Sequence, residues 1–534
     1  MFENSAHLWW QKGIIYQVYP RSYQDSNSDG VGDLQGIINR LDYLKWLGIS
    51  AVWLSPIYPS PMADFGYDIA NYTDIDSIFG TMTDFDTLLN AVHDSGMKLI
   101  LDFVPNHTSD QHPWFQASKS SAGNPKRDWY IWHDPAPGGE PPNNWLSVFG
   151  GSGWEWDEQT RQYYYHGFLK EQPDLNWRNP EVQEAMFDAM RFWLNKGVDG
   201  FRVDVMWHMI KDEKLRDNPV NPDYRPEMPT YDQLLPVYST DQPEVLDLVL
   251  KMRRVMDEYQ DRMMVGEIYL PIHLLMTYYG YQNNGAHLPF NFLLLTMPWD
   301  AVKIATAIAE YEGALPPRGW PNWVMGNHDR PRVVSRLGNE QARVAALLLL
   351  TLRGTPTLYY GDEIGMLDVP IPFDEVKDPQ GLDMPDKNLS RDPCRTPMQW
   401  SAEKYAGFSN SKPWLLINKH YQFNNVKSQK NDPNSILTLY RKLIQLRNSE
   451  PALNIGQYTP VSYDSQIISY IREIPGVSRF LIILNFSHRP YYFKPSQIAL
   501  SGRIEISTSP EMEGMVMNGK LDLYGDEAVV VRLY

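Results

Sequence analysis

With one cysteine in 534 residues, Cys394, the chain has no partner thiol for an intrachain disulfide, and a reducing compartment fits. Positive charge is short as well. The 48 Lys and Arg against 65 Asp and Glu give a formal net charge of −17, which repels nucleic acid and anionic membrane. No run approaches the ~20 apolar residues of a membrane span. The opening MFENSAHLWWQKG has no basic segment followed by an apolar one, so no signal peptide is read there. These absences lead us to expect a cytoplasmic protein with neither a nucleic-acid nor a membrane partner. Aromatics, by contrast, are plentiful. The 18 Trp and 32 Tyr supply flat, amphipathic surface of the kind that suits sugar rings wherever it is not core packing.

Short apolar runs alternate with amphipathic stretches along most of the chain. GIIYQVYP (13–20), AVWLSP (51–56), KLILDFV (98–104), GFRVDV (200–205), MMVGEIY (263–269), NWVMGN (322–327) and TPTLYYG (355–361) read as strands. Residues 34–48, 84–97, 181–197 and 339–354 read as helices between them. Continuously apolar strands separated by helices mean a parallel sheet covered on both faces. About eight such units predict an α/β fold of the (β/α)8 barrel type rather than an open sheet. No G-x-G-x-x-G follows the first strand, which counts against a dinucleotide fold. Residues 107–178, rich in Trp, Pro, Gly and Asn, read as a small domain inserted after strand three. From about residue 455 short alternating segments predict an antiparallel β domain. The divisions are 1–106 and 179–454 for the barrel, 107–178 for the insertion and 455–534 for the β domain.

In such a barrel, chemistry sits at the C-terminal ends of the strands. Asp102, Asn106 and His107 lie at the third, Arg202 and Asp204 at the fourth, Glu267 at the fifth, and His328 and Asp329 at the seventh. A lone acid at a strand end is more often a cap or an ion pair; acids, histidines and an arginine at four strand ends are a catalytic set. Asp102 and Asn106 keep the alternative of bracing their loop. Glycoside cleavage needs one carboxylate to attack the anomeric carbon and a protonated acid to donate to the leaving oxygen. Arg202, on the same strand face as Asp204, would keep that carboxylate ionised and oriented.

DFVPNH, GFRVDV, GEIY and GNHD, in that order, resemble the four signature regions of the α-amylase superfamily of glycoside hydrolases. QPDLNW, SRDPCRTPMQW and IIYQVYPRSYQDSNSDGVGD resemble its α-glucosidase and oligo-1,6-glucosidase branch. The resemblance spans nearly the whole chain. It implies Asp204 as nucleophile, Glu267 as general acid/base and Asp329 as the acid that holds the sugar hydroxyls. It places His107, His328 and Arg202 around the glucosyl ring, with Tyr67 stacked on it. It gives Asp68 the grip on the non-reducing end, with Arg395 as its partner. Phe168, Gln172 and Arg391 fall beside the sugar in the same pattern, with loop packing as the rival reading. Val205, directly after the nucleophile, accompanies α-1,6 cleavage in this branch, although the chain then departs from the pattern with MWHMIKD.

The implied activity is exo-hydrolysis of short α-glucosides, small-molecule substrates that extend to glucosylated alcohols. Transfer of glucose to an acceptor other than water shares every residue and stays open. A catalytically silent partner subunit is the remote alternative. Residues 212–244, a long Pro- and Asp-rich connection, are expected to wall the acceptor side. In DSNSDGVGD, Asp25, Asn27, Asp29 and Asp33 alternate around Gly30 like the front of a calcium loop, with a capped turn as the rival. The resemblance favours a structural Ca2+ with the Val31 carbonyl as a further ligand, Mg2+ being the alternative.

Overall fold

Eight short strands form one parallel sheet: β1 (Ile15–Val18), β2 (Ala51–Leu54), β3 (Lys98–Phe103), β4 (Gly200–Val203), β5 (Met263–Ile268), β6 (Leu288–Asn291), β7 (Asn322–Val324) and β8 (Thr355–Tyr359). The structure, a computed structural model, describes residues 7–495 and 500–534. The first six residues, on which part of the signal-peptide reading falls, lie outside the described residues. The ladder runs from β7 through β8 and β1 round to β6. A side chain bridges the remaining seam. Asn322 Oδ1 accepts from the Asn291 amide at 2.8 Å, and its Nδ2 donates to the Pro289 carbonyl at 2.8 Å. The sheet closes into the expected (β/α)8 barrel.

β6 is the strand absent from the sequence reading. It has four residues and contains Pro289, which offers no amide proton to a ladder and interrupts the apolar pattern. The stretch 34–48, read as one helix, is two, Leu34–Ile38 and Leu41–Leu47. Between them Arg40 leaves the helix to donate to Gln24 at 2.7 Å and to lie over the Trp400 ring. The helix Pro180–Lys196 follows its sequence signals. Asn179 caps it through the Glu181 amide, Pro180 opens it, and Gly197 ends it at φ 108°.

Every second residue of a barrel strand points inward. Ile15, Trp53, Ile100, Val265, Leu288, Phe290 and Val324 fill the lower barrel with an apolar plug. Two residues further on, the same rows of β3 and β5 continue as Asp102 and Glu267, while Arg202 on β4 is followed by Asp204. Alternation alone thus raises the charged groups to the mouth, above an apolar floor.

Between β3 and β4 lie a helix, Pro113–Ser120, and a three-stranded antiparallel sheet with its own core of Trp145, Trp154 and Tyr165. At the C-terminus six antiparallel strands pair in the order 457–463, 467–474, 478–485, 528–533, 501–507 and 516–518. Ile468, Tyr470, Ile482, Leu484 and Val530 face the barrel, and the alternate residues Ile471, Leu481, Ile483 and Val531 face a two-stranded ribbon.

Candidate active site

Arg202 is buried at the centre of the mouth. Its Nη1 donates to Asp204 Oδ1 at 2.6 Å and to Asp102 Oδ1 at 2.8 Å, and its Nη2 meets Glu267 Oε2 at 2.6 Å. Three carboxyls on one guanidinium leave a surplus of negative charge, so the cluster holds its protons as a unit. Burial pushes Asp204 well above the ordinary carboxylate range; Arg202 pulls it down, and Glu267 and Asp102 add to the rise. Burial likewise pushes Asp102 up to about 6 against the pull of Arg202. The sequence reading gave Arg202 the task of keeping Asp204 ionised. In the fold it is the group that pulls Asp204 down against burial and the two like charges, and its Nη1 orients the carboxyl. Asp102 does more than brace a loop, because it also accepts from Tyr67 Oη at 3.1 Å.

The register fixes the spacing of the acids. Val203 pairs with Gly266 across β4 and β5, so Asp204 and Glu267 are the next pair up on strands about 4.8 Å apart. Arg202, bonded at 2.6 Å to one oxygen of each, holds the two carboxyls close together, the kind of arrangement retaining glycosidases use, whose acids lie roughly 5–5.5 Å apart. Glu267 Oε2 also accepts from the Val205 amide at 2.9 Å. With Oε2 engaged twice, a proton on this carboxyl belongs on Oε1. To aim its amide there, Val205 adopts φ 34° and ψ 47°, a left-handed conformation that a β-branched residue avoids.

The other half of the site is built around Asp329. Its Oδ1 accepts from Arg395 Nη2 at 3.0 Å and lies 3.5 Å from Arg391 Nη1. Burial works to raise this carboxyl, but His328, Arg395 and Arg391 outweigh it and hold it well below the ordinary range. His328 stacks flat on Tyr67, with ring centroids 5.3 Å apart. His107 lies 5.2 Å from the Phe168 ring and 3.2 Å from Gln172 Nε2, and burial lowers its imidazole to about 4. The three acids and Tyr67, His107, Phe168, Gln172, Arg202, Val205, His328, Arg391 and Arg395 are thus joined by direct contacts at one end of the barrel.

Asp68 stands apart, and the acid–arginine pair has to be redrawn. Arg391 Nη2 meets Asp64 Oδ1 at 2.6 Å, and Gln172 donates to Asp64 Oδ2 at 3.3 Å. Asp68 is spent inside its own loop, accepting from Ser60 Oγ and from the amides of Ala63 and Asp64 at 2.8, 2.8 and 2.9 Å. Phe65 and Gly66 adopt positive φ of 48° and 111°. This turn folds Asp68 back under residues 60–64 and presents Asp64 to the arginine. Arg395 pairs with Asp329 and donates through Nε to the His328 carbonyl at 2.8 Å. Asp378, missed in the sequence, accepts from Arg391 Nε at 2.9 Å and from the Arg391 amide at 2.7 Å. It comes from a Pro- and Asp-rich stretch with no periodic signal.

The connection 212–244 docks rather than trails. Trp145 Nε1 donates to the Arg216 carbonyl at 2.8 Å, the Asn144 amide bonds to Asp217 at 3.0 Å, and Lys387 Nζ reaches the Pro226 carbonyl. It joins the inserted domain to the segment that carries Asp378.

Asp25, Asn27, Asp29, Val31 and Asp33 share one loop after β1. Asp25 accepts from the amides of Asn27, Ser28 and Gly30, Asp29 from that of Val31, and Asp33 from those of Ser26 and Gly36. Among the described residues no three His, Cys, Asp or Glu side chains converge as a metal site. The donor set suits a hard cation, but here it is turned onto the amides of its own loop. Among the described residues no helix is long and apolar enough to cross a membrane.

Residues 17–456 match the model of the α-amylase catalytic domain. An α-glucosidase of Apis mellifera is 44% identical over 489 residues, 89% of this chain and 85% of the relative. A probable oligo-1,6-glucosidase of Bacillus subtilis is 40% identical over 95% of this chain and 96% of its own. A human amino acid transporter heavy chain is 43% identical over 90% of this chain and 70% of its own. The crystal structure of the α-glucosyl transfer enzyme XgtA superposes with a TM-score of 0.92 at 38% identity, covering 99% of this chain and 100% of that one.

Proposed function

The chain belongs to the α-amylase family of glycoside hydrolases, and from that premise we propose that it is a retaining, exo-acting α-glucosidase that removes one glucose from short α-glucosides. The observation that carries this reading is Arg202 held between the carboxyls of Asp204 and Glu267, which lie on adjacent strands. In the first step Asp204 attacks the anomeric carbon while Glu267 Oε1 gives its proton to the leaving oxygen. In the second, Glu267 takes a proton from water, which displaces Asp204. The ionised Asp329 and the arginines beside it suit the hydroxyls of the bound ring. The Asp64–Arg391 pair closes the space behind one sugar, which limits cleavage to chain ends.

A sugar or alcohol hydroxyl can take the place of water in the second step, and the likeness to a glucosyl transfer enzyme supports transfer as a second reading. Likeness to a relative named an amino acid transporter heavy chain keeps a silent partner subunit as the remote alternative. The assembled acids argue against a silent subunit here. Val205 beside the acids and the oligo-1,6-glucosidase relative support a preference for α-1,6 links. Incubation with maltose, isomaltose, trehalose and sucrose, with glucose resolved from transfer products, tests the reading. Release of glucose from at least one disaccharide is expected, and inertness toward all of them overturns it.

A structural calcium ion in the loop 25–33 is a separate proposal, supported by its five alternating oxygen donors. Thermal unfolding with calcium and with chelator decides it: a higher midpoint with calcium supports the ion, and coincident midpoints refute it.

A further inference from the structure

We propose that His208 is a specificity-determining residue on the acceptor side of the site, where it donates a hydrogen bond to a hydroxyl of the leaving or accepting sugar. This rests on the α-glucosidase reading above. His208 lies one turn beyond the nucleophile, on the short turn Met206–His208, with its amide held by the Val205 carbonyl at 2.8 Å.

Its place in the wall of the site gives it a side. Phe168 stands between two histidines, 5.2 Å from His107 and 5.3 Å from His208. His107 is on the side of Gln172 and Asp64, where the bound glucose is closed in. His208 is on the other side, where the wall continues to Trp207 at 4.7 Å and from Trp207 to Tyr269 at 5.7 Å. A group beyond Phe168 and next to Val205 meets what lies past the cleaved bond.

The hydrogen-bonding state of the ring supplies a second, independent observation. His208 is 4% exposed, and Nδ1 is enclosed with no partner. Nε2 is neither enclosed in that way nor hydrogen-bonded to protein among the described residues. Burial, with Lys211 and His107 adding to it, holds the imidazole well below its ordinary range, so it is neutral. An enclosed N–H without an acceptor is costlier than an enclosed lone pair. The single proton therefore sits on Nε2, the nitrogen with access, and makes it a donor with no acceptor. A sugar hydroxyl oxygen supplies that acceptor. Histidine at this position also belongs to the MWHMIKD departure that the reading of Val205 left without a role.

His208→Leu and His208→Gln, assayed on isomaltose, maltose and an aryl α-glucoside whose leaving group has no hydroxyl, test the assignment. We expect His208→Leu to lose about tenfold or more in kcat/KM on the disaccharides and to stay within about twofold on the aryl glucoside. His208→Gln, which keeps a side-chain N–H donor, recovers part of the loss. Equal losses on both substrate classes, no loss on either, or no recovery with Gln overturns the proposal. Wild-type enzyme inert toward every α-glucoside contradicts the proposed function instead, which separates the two failures.

Discussion

Arg202, at the barrel mouth, faces three carboxyls; Arg447 and Arg472, at the seam between barrel and C-terminal sheet, face carbonyls and no ion-paired acid among the described residues. All three are fully buried. Arg447 donates to the carbonyls of Leu350, Leu352 and Leu453 at 2.9, 3.0 and 3.0 Å and to that of Gly354. Arg472 donates to the carbonyls of Thr351, Gly456 and Asn454 at 2.5, 3.0 and 3.3 Å. Several of these are the orphan carbonyls at the end of the helix Val333–Thr351, the negative pole of its dipole. Carbonyls do not titrate, so no acid at the seam has to keep its charge as pH falls; each guanidinium bonds to them through its Nη atoms, while both Nε atoms stay without a partner. Carboxyls in excess cannot all be ionised at once, so the mouth keeps a proton in play. One arrangement holds domains together, and the other can do acid–base work.

The largest effect that separates the two regions is expected from Asp204→Asn. It removes the attacking carboxylate, so kcat falls by about 10⁴-fold or more. It also relieves like-charge crowding around Arg202, so the unfolding midpoint does not fall. A large loss of stability with the loss of activity would mean that the mouth, too, is structural glue. Arg472→Met is the converse. It strands three carbonyls at the seam and lowers stability by roughly 2–5 kcal/mol, measured by denaturant unfolding. Turnover of an aryl α-glucoside by the folded protein stays unchanged.

Smaller effects sharpen the picture of the mouth. Val205→Thr alters the residue whose amide holds Glu267, and the isomaltose-to-maltose ratio of kcat/KM moves toward maltose by about tenfold, or 1.4 kcal/mol. An unchanged ratio assigns linkage to the connection 212–244. Asp102→Asn removes one like charge beside Asp204, so the acid limb of kcat/KM against pH moves to lower pH. The same carboxyl also tunes stability. In the fold Asp102 keeps its proton up to about pH 6 and in the unfolded chain only to about 4. Between those values the folded state binds more protons, so this contribution to stability is lost as pH rises from about 4 to 6. Asp102→Asn flattens that slope.

The sequence carried the strand ends and their acids because period-two alternation and apolar runs are local signals. Asp102, Arg202, Asp204 and Glu267 could be placed on one rim from those signals alone. What it could not carry was direction within loops. Asp64 and Asp68 lie four apart in DFGYDIANY, and only the positive φ of Phe65 and Gly66 decides which of them turns toward Arg391. Asp378 arrives from a segment without periodicity, and β6 is masked by Pro289. The strain at Val205 has no sequence signature, because valine is the last residue that composition would place in a left-handed turn.

The register of Val203 with Gly266 makes one commitment that a single spectrum can check. Asp204 and Glu267 on neighbouring strands, bridged by Arg202, suit the proposed passage through a glucosyl-enzyme with retention of configuration. Proton NMR of the first glucose released from an α-glucoside, recorded before mutarotation, reads this directly. The α-anomer appearing first is the predicted result. The β-anomer appearing first would contradict both the role of Asp204 and the geometry on which the account rests.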